Sequence, residues 1–147
     1  MDQELQLKIE RTFDAPIQKV WDAWTKPELL RQWSCPNTFE VTEQSGDFRV
    51  GGIWTETMTS DKYGFTGKLR GEYKVIEEPH KLVSTHEWID GSGNDGKASE
   101  YTVELSEQDG STRMTFTQIG FVSAESRDSH CGGWEETFGK LASLLEK

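Results

Sequence analysis

The order of periodic segments predicts an α+β fold in which one long C-terminal helix covers an antiparallel sheet. Three observations carry that class. An alternating apolar pattern followed by two short helical patterns opens the chain. From Phe39 to Gly120 apolar alternation is punctuated only by turn residues, and an apolar stripe at helical spacing closes the sequence. The length, 147 residues, suits one compact domain spanning 1–147.

Leu5, Leu7, Ile9 and Phe13 alternate with Gln6, Lys8, Glu10 and Thr12, the period of a half-buried strand. Arg11 is the one polar residue on its apolar side. Asp14-Ala15-Pro16 ends that strand and starts a helix, with Asp14 the expected cap and Pro16 tolerated in the first turn. Val20, Trp21 and Trp24 share one face of this helix. Lys26-Pro27 breaks it, and residues 28–33 read as a second short helix ending at Ser34-Cys35-Pro36.

Strands follow over residues 39–43, 51–59, 65–75, 82–89, 98–105 and 112–119. Turn residues separate them at 45–47, 61–64, 78–80 and 108–111, and the glycine-rich stretch 91–96 reads as the most flexible loop. Gly67 and Gly71 fall on the inward side of their strand, where a missing side chain admits another backbone or a ligand. Ser123 is placed to cap a helix from Ala124, with Glu125 near its positive end. Trp134, Phe138, Leu141 and Leu145 form the apolar stripe of that helix. Gly132 and Gly133 lie within it at a cost of about 1 kcal/mol each, so both are expected to make room for something.

Charge narrows the partners. With 26 Asp+Glu against 16 Lys+Arg the net charge is −10, which disfavours nucleic acid and anionic membrane surfaces. No apolar run is long enough to span a bilayer, and the opening MDQELQLKIE has neither the cationic start nor the apolar core of a secretory signal, so a cytoplasmic location is expected. In that reducing setting Cys35 and Cys131 are expected as free thiols. An acidic surface with edge strands is compatible with a monomer or a homodimer. Aliphatic residues are few, but six Trp, seven Phe and three Tyr supply enough apolar surface for a core.

A curved sheet facing one helix is either packed solid or hollow, and the aromatic composition favours a cavity. Trp33, Trp54, Met58, Phe65, Tyr73 and Trp88 are candidates for its walls, with Tyr101, Met114, Phe116, Trp134 and Phe138. Any one of these rings alone is ordinary core; the hypothesis rests on the set. Three polar residues add chemistry. Glu56 lies between Trp54 and Met58 on one strand face, His86 between Ser84 and Trp88, and Gln118 follows Met114 and Phe116. Together with Arg11 they would surround one apolar chamber and orient a polar head group, or perform acid–base work. The alternative is a shifted register that leaves them in water.

Other chemistry is absent from the pattern. There is no nucleophile elbow, Walker loop, dinucleotide fingerprint or calcium loop, and no zinc spacing around Cys35. No metal, cofactor or catalytic residue is assigned. His130-Cys131 near a helix start is a setting that can lower a thiol pKa, and it is equally an ordinary helix turn.

Arg11-Thr12-Phe13-Asp14-Ala15-Pro16, Val20-Trp21, Ala23-Trp24-Thr25, Pro27-Glu28, Leu30 and Gln32-Trp33 resemble the opening of the activator of heat-shock protein 90 ATPase homologue family. Gly51-Gly52-Ile53-Trp54, Gly71-Glu72-Tyr73, residues 112–115, Gly120-Phe121, residues 126–130 and Gly133-Trp134 continue the resemblance to the C-terminus. It implies the helix-grip fold of the START-related SRPBCC (Bet v 1-like) superfamily: an antiparallel sheet wrapped around a long C-terminal helix, two short helices closing one side, and a deep apolar cavity. Relatives bind small hydrophobic molecules, and some are cyclases or hydrolases. The eukaryotic namesake stimulates a chaperone ATPase with this domain and an N-terminal one that has no counterpart in this sequence. Glu56 stands where the family usually has an apolar residue. Binding of a small hydrophobic molecule is therefore expected first, with a co-chaperone contact and cyclase or hydrolase activity in the same cavity ranked below it and level with each other.

Overall fold

The computed structural model describes residues 5–89 and 97–146; the glycine-rich stretch 91–96 lies outside them. The elements are β1 (Leu7–Phe13), α1 (Ile17–Thr25), α2 (Pro27–Trp33), β2 (Glu40–Gly46), β3 (Ile53–Ser60), β4 (Phe65–Glu77), β5 (Lys81–Trp88), β6 (Ser99–Gln108), β7 (Ser111–Ile119) and α3 (Ala124–Leu145). One sheet of seven strands runs β1-β7-β6-β5-β4-β3-β2, every neighbouring pair antiparallel. Since β1 and β2 are consecutive in the chain yet occupy opposite edges, α1 and α2 must carry the chain across the open side of the sheet. The α3 helix lies in its grip, in the helix-grip arrangement.

Alternation sets the inner face. Trp54, Glu56, Met58 and Ser60 of β3 are buried, as are Gly67, Leu69, Gly71 and Tyr73 of β4, while their neighbours face outward or are half-covered. Register shifts between Val41 and Glu43 in β2 and between Tyr73 and Val75 in β4 are bulges, which add local twist and bend to those strands. Asp109 and Gly110 both take positive φ (55° and 84°), the backbone that a two-residue hairpin between β6 and β7 requires.

The core fills the end of the grip near β1, β7 and the C-terminal part of α3. Phe13, Trp21, Trp33, Met114, Phe116, Phe138 and Leu141 are fully buried there. Trp33 Nε1 donates to Ala23 O at 3.0 Å, locking α2 onto α1, and Thr112 Oγ1 donates to Ala15 O at 2.7 Å, tying β7 to the entry of α1. Ser123 accepts from Ser126 N at 3.1 Å and caps α3 as expected.

Three expectations need correction. Asp14 does not cap α1: Pro16 holds the cap position without a side-chain bond, and Asp14 N donates instead to Glu146 Oε2 at 3.0 Å. Arg11 does not reach the chamber. It keeps the alternation, paired with buried Met114, yet at the sheet edge it is exposed with its guanidinium carbon 5.8 Å from the Phe13 ring centre, where water spares it the cost of burial. Gly132 makes room for nothing, since a Cβ there would meet open space, whereas a Cβ on Gly133 would sit 3.6 Å from Pro36 Cγ. Both cysteines are free. No helix among the described residues is long and apolar enough to cross a membrane.

Candidate functional site

A cavity of about 520 Å³ lies between the inner face of β3–β6, α2 and the first half of α3, within the size range of small-molecule sites. Trp54, Glu56 and Met58 of β3 line it, as do Phe65 and Tyr73 of β4, His86 and Trp88 of β5, and Tyr101 of β6. Trp33 of α2 and Trp134 of α3 complete the expected lining. Five of the six tryptophans therefore reach this space; Trp21 does not. Two exposed lining residues, Tyr63 (62% accessible) and Ser129, mark the mouth.

Two glycines make the walls possible. A Cβ on Gly67 would drive into Trp88 and Phe65, and one on Gly71 into the Trp54 indole and Thr85 O. Trp54 lies flat across Gly71 and donates from Nε1 to Ser84 Oγ at 2.7 Å, so its ring is fixed at both ends.

Glu56 is 6% accessible and pairs across the strands with Gln44, which the bulge in β2 turns inward. Ser34 Oγ, at the end of α2, lies 2.7 Å from Glu56 Oε1 and 2.7 Å from Leu30 O. A hydroxyl carries one hydrogen, so Ser34 donates either to an ionised Glu56 or, accepting from a protonated one, to Leu30 O; only the protonated form makes both contacts hydrogen bonds. Burial acts in the same direction: it pushes the Glu56 carboxyl up to about 8, against the lowering influence of Ser34, Gln44 and the more distant Lys140 charge. Lys140 is engaged elsewhere, donating to Cys35 O at 3.1 Å and Cys35 Sγ at 3.2 Å. Burial also raises the Cys35 thiol, with Lys140 opposing.

His86 is 6% accessible and ringed by Trp54, Trp88, Tyr101, Trp134 and His130 at centroid distances of 5.9–6.3 Å. Burial, with His130 beside it, depresses its pKa to about 3, so it is neutral. His130 is neutral for a related reason. Its Nδ1 lies 2.7 Å from Ser126 O, an acceptor only, so Nδ1 carries the hydrogen and Nε2 accepts from Trp88 Nε1 at 3.3 Å. Burial raises the Tyr73 hydroxyl to about 12 and Tyr101 upward as well. His86, His130, Tyr73 and Tyr101 are thus held uncharged at neutral pH, and Glu56 is mostly protonated there.

Gln118, Met114, Phe116 and Phe138 do not line the cavity. All four are fully buried behind it, Gln118 donating to Ser99 Oγ and accepting from Trp134 Nε1, both at 2.7 Å. The sequence reading missed Trp24, Leu30, Ser34, Phe39, Gln44, Tyr63, Leu69, His130 and Thr137, which do line it. The helical residues belong to turns whose facing sides follow only from how the helices sit on the sheet, and Gln44 is reached only through the bulge. Cys131 is not activated: burial and the Glu135 carboxylate raise its pKa. Among the described residues no cluster of His, Cys, Asp and Glu could hold a metal ion.

No curated protein matches this chain. Among solved structures it is similar to protein CV1439 from Chromobacterium violaceum, with 22% identity, TM-score 0.90, and 98% of this chain and 99% of that one covered. A protein from Arthrobacter aurescens is similar at 26% identity and TM-score 0.83, over 98% of this chain and 87% of that one. The AHSA1 protein SPO3351 from Silicibacter pomeroyi is similar at 23% identity and TM-score 0.82, over 96% and 97%. Residues 14–146 match the model of the family described as activator of Hsp90 ATPase homolog 1-like protein, and the chain belongs to that family.

Proposed function

We propose that the chain binds a small, largely apolar molecule in the cavity between sheet and helix. The observation that carries this reading is a space of about 520 Å³, open at one mouth and walled by five tryptophans, with buried Glu56 and His86 facing it. Burying apolar ligand surface there yields about 25 cal/mol per Å², and the two polar groups fix orientation. Of the residues expected to contact ligand, Trp33, Trp54, Glu56, Met58, Phe65 and Tyr73 lie on the cavity wall with His86, Trp88, Tyr101 and Trp134. The test is titration with the neutral probe N-phenyl-1-naphthylamine, following tryptophan emission. Saturable quenching, weakened about ten-fold or more by Gly133→Leu, is expected; absence of saturation overturns the reading.

A second reading is a co-chaperone contact with a heat-shock protein 90, supported by the family match over residues 14–146. The comparisons support it more directly than they support any ligand. It predicts stimulation of the host chaperone's ATPase that survives Gly133→Leu. An unchanged ATPase rate removes it.

A further inference from the structure

Resting on the ligand-binding reading above, we infer that the cavity selects molecules carrying a protonated amine on an apolar body, with Glu56 as the counter-ion.

The argument starts from what Glu56 offers. Ionised, its carboxylate only accepts hydrogen bonds; protonated, its single hydrogen is directed at Ser34 Oγ, 2.7 Å away. In either state the lone pairs left for a ligand are acceptors, so the ligand must bring a donor. The Gln44 amide and the Ser34 hydroxyl answer part of that demand, and neither of them carries a charge. Among the described residues no Lys, Arg or His forms an ion pair with Glu56, and the nearest candidate, Lys140, is spent on Cys35.

The remaining walls exclude the opposite charge and accept this one. Facing the chamber are the titratable groups Tyr73 of β4, His86 of β5, Tyr101 of β6 and His130 of α3, all neutral, so no cation is present to hold an anionic ligand. Trp54, Trp88, Tyr101 and Trp134 present ring faces and edges to the same space, and desolvated ring faces attract cations. His86 sits across β4 from Trp54, two strands and roughly 10 Å from the Glu56 strand. The apolar body therefore lies along the tryptophans with its amine at the β2–β3 end. The overall charge of −10 draws cations toward the molecule and repels carboxylates.

Binding has a proton signature. Free Glu56 is mostly protonated at pH 7, since burial lifts it to about 8, and pairing with an ammonium ionises it. Decylamine, decanol and decanoate, which share one chain length, are titrated calorimetrically at pH 7 in two buffers of different ionisation enthalpy, and decylamine again at pH 9.5. Decylamine is expected to bind about ten-fold tighter than decanol, with decanoate weakest. It releases about one proton per ligand at pH 7 and close to none at pH 9.5, where Glu56 is already ionised. In Glu56→Gln the preference for the amine falls away and the release vanishes; the native chain decides alone if that variant does not fold. Decanol or decanoate binding as tightly as decylamine, or decylamine binding at pH 7 without proton release, overturns the inference and leaves the cavity reading standing. Failure of all three probes to bind overturns both.

Discussion

Trp134 Nε1 donates to Gln118 Oε1 at 2.7 Å, and that contact makes Gln118 a support for the cavity wall instead of part of it. The chain continues inward, Gln118 Nε2 donating to Ser99 Oγ at 2.7 Å and Ser99 Oγ to His86 O at 3.2 Å. Through it one fully buried amide sets both the Trp134 ring and the strand that carries His86. Gln118→Leu should cost about 1–3 kcal/mol, because it leaves Trp134 Nε1 without its acceptor and strips Ser99 Oγ of its donor. Urea unfolding of Gln118→Leu, Trp134→Phe and the double variant checks this. A coupling energy of about 1 kcal/mol or more is expected; additivity contradicts it.

Stability should pass through a plateau with two limbs of opposite origin. Glu56 rises from 4.5 in the unfolded chain to about 8 when folded, so its contribution is complete below pH 4.5 and is lost as pH climbs to 8. His86 falls from 6.5 to about 3, so its contribution is complete above pH 6.5 and is lost as pH drops to 3. Between pH 4.5 and 6.5 the two slopes cancel. The contribution of the pair therefore falls by about 2 kcal/mol on each side. Urea titrations across pH 3–9 check this, with Glu56→Gln flattening the alkaline limb and extending the acid one up to pH 6.5.

Two glycines in the same chain should respond in opposite directions. Gly71→Ala places a methyl into the Trp54 indole and Thr85 O and should destabilise by about 1–3 kcal/mol. Gly132→Ala, in a helix with open space at its Cβ, should stabilise by about 0.5–1 kcal/mol. Thermal unfolding of both variants measures the contrast.

The order of elements and the inner face of β3–β6 were legible because strand alternation is local: Trp54, Glu56 and Met58 share a side whatever lies opposite. How deep a residue sits behind that face is not local. Phe116 and Phe138 alternate or recur as correctly as Tyr101 and Trp134, yet they pack against one another at 5.2 Å in the filled end of the grip. Arg11 and Gln44 mark the same boundary. Alternation holds at Arg11, but its edge strand is open to water there, and a bulge resets the alternation at the other edge.

The two thiols should differ in accessibility and agree in sluggishness. Both are raised above the ordinary cysteine value, but Cys35 is buried and held by Lys140, whereas Cys131 is half-buried beside Glu135. With a disulfide reagent at pH 8, Cys131 should react first and more slowly than a free thiol, and Cys35 only on unfolding. Equal rates contradict this placement.

The most direct measurement uses the chain's own tryptophans as paired reporters. In a nitrogen–proton correlation spectrum each indole N–H gives one signal, and five of the six indoles line the cavity while Trp21 lies outside it. Adding N-phenyl-1-naphthylamine should shift the cavity indoles saturably, Trp88 and Trp134 among them, and leave Trp21 in place. No saturable shift, or a Trp21 signal that moves as far as the other five, would contradict a ligand site between sheet and helix.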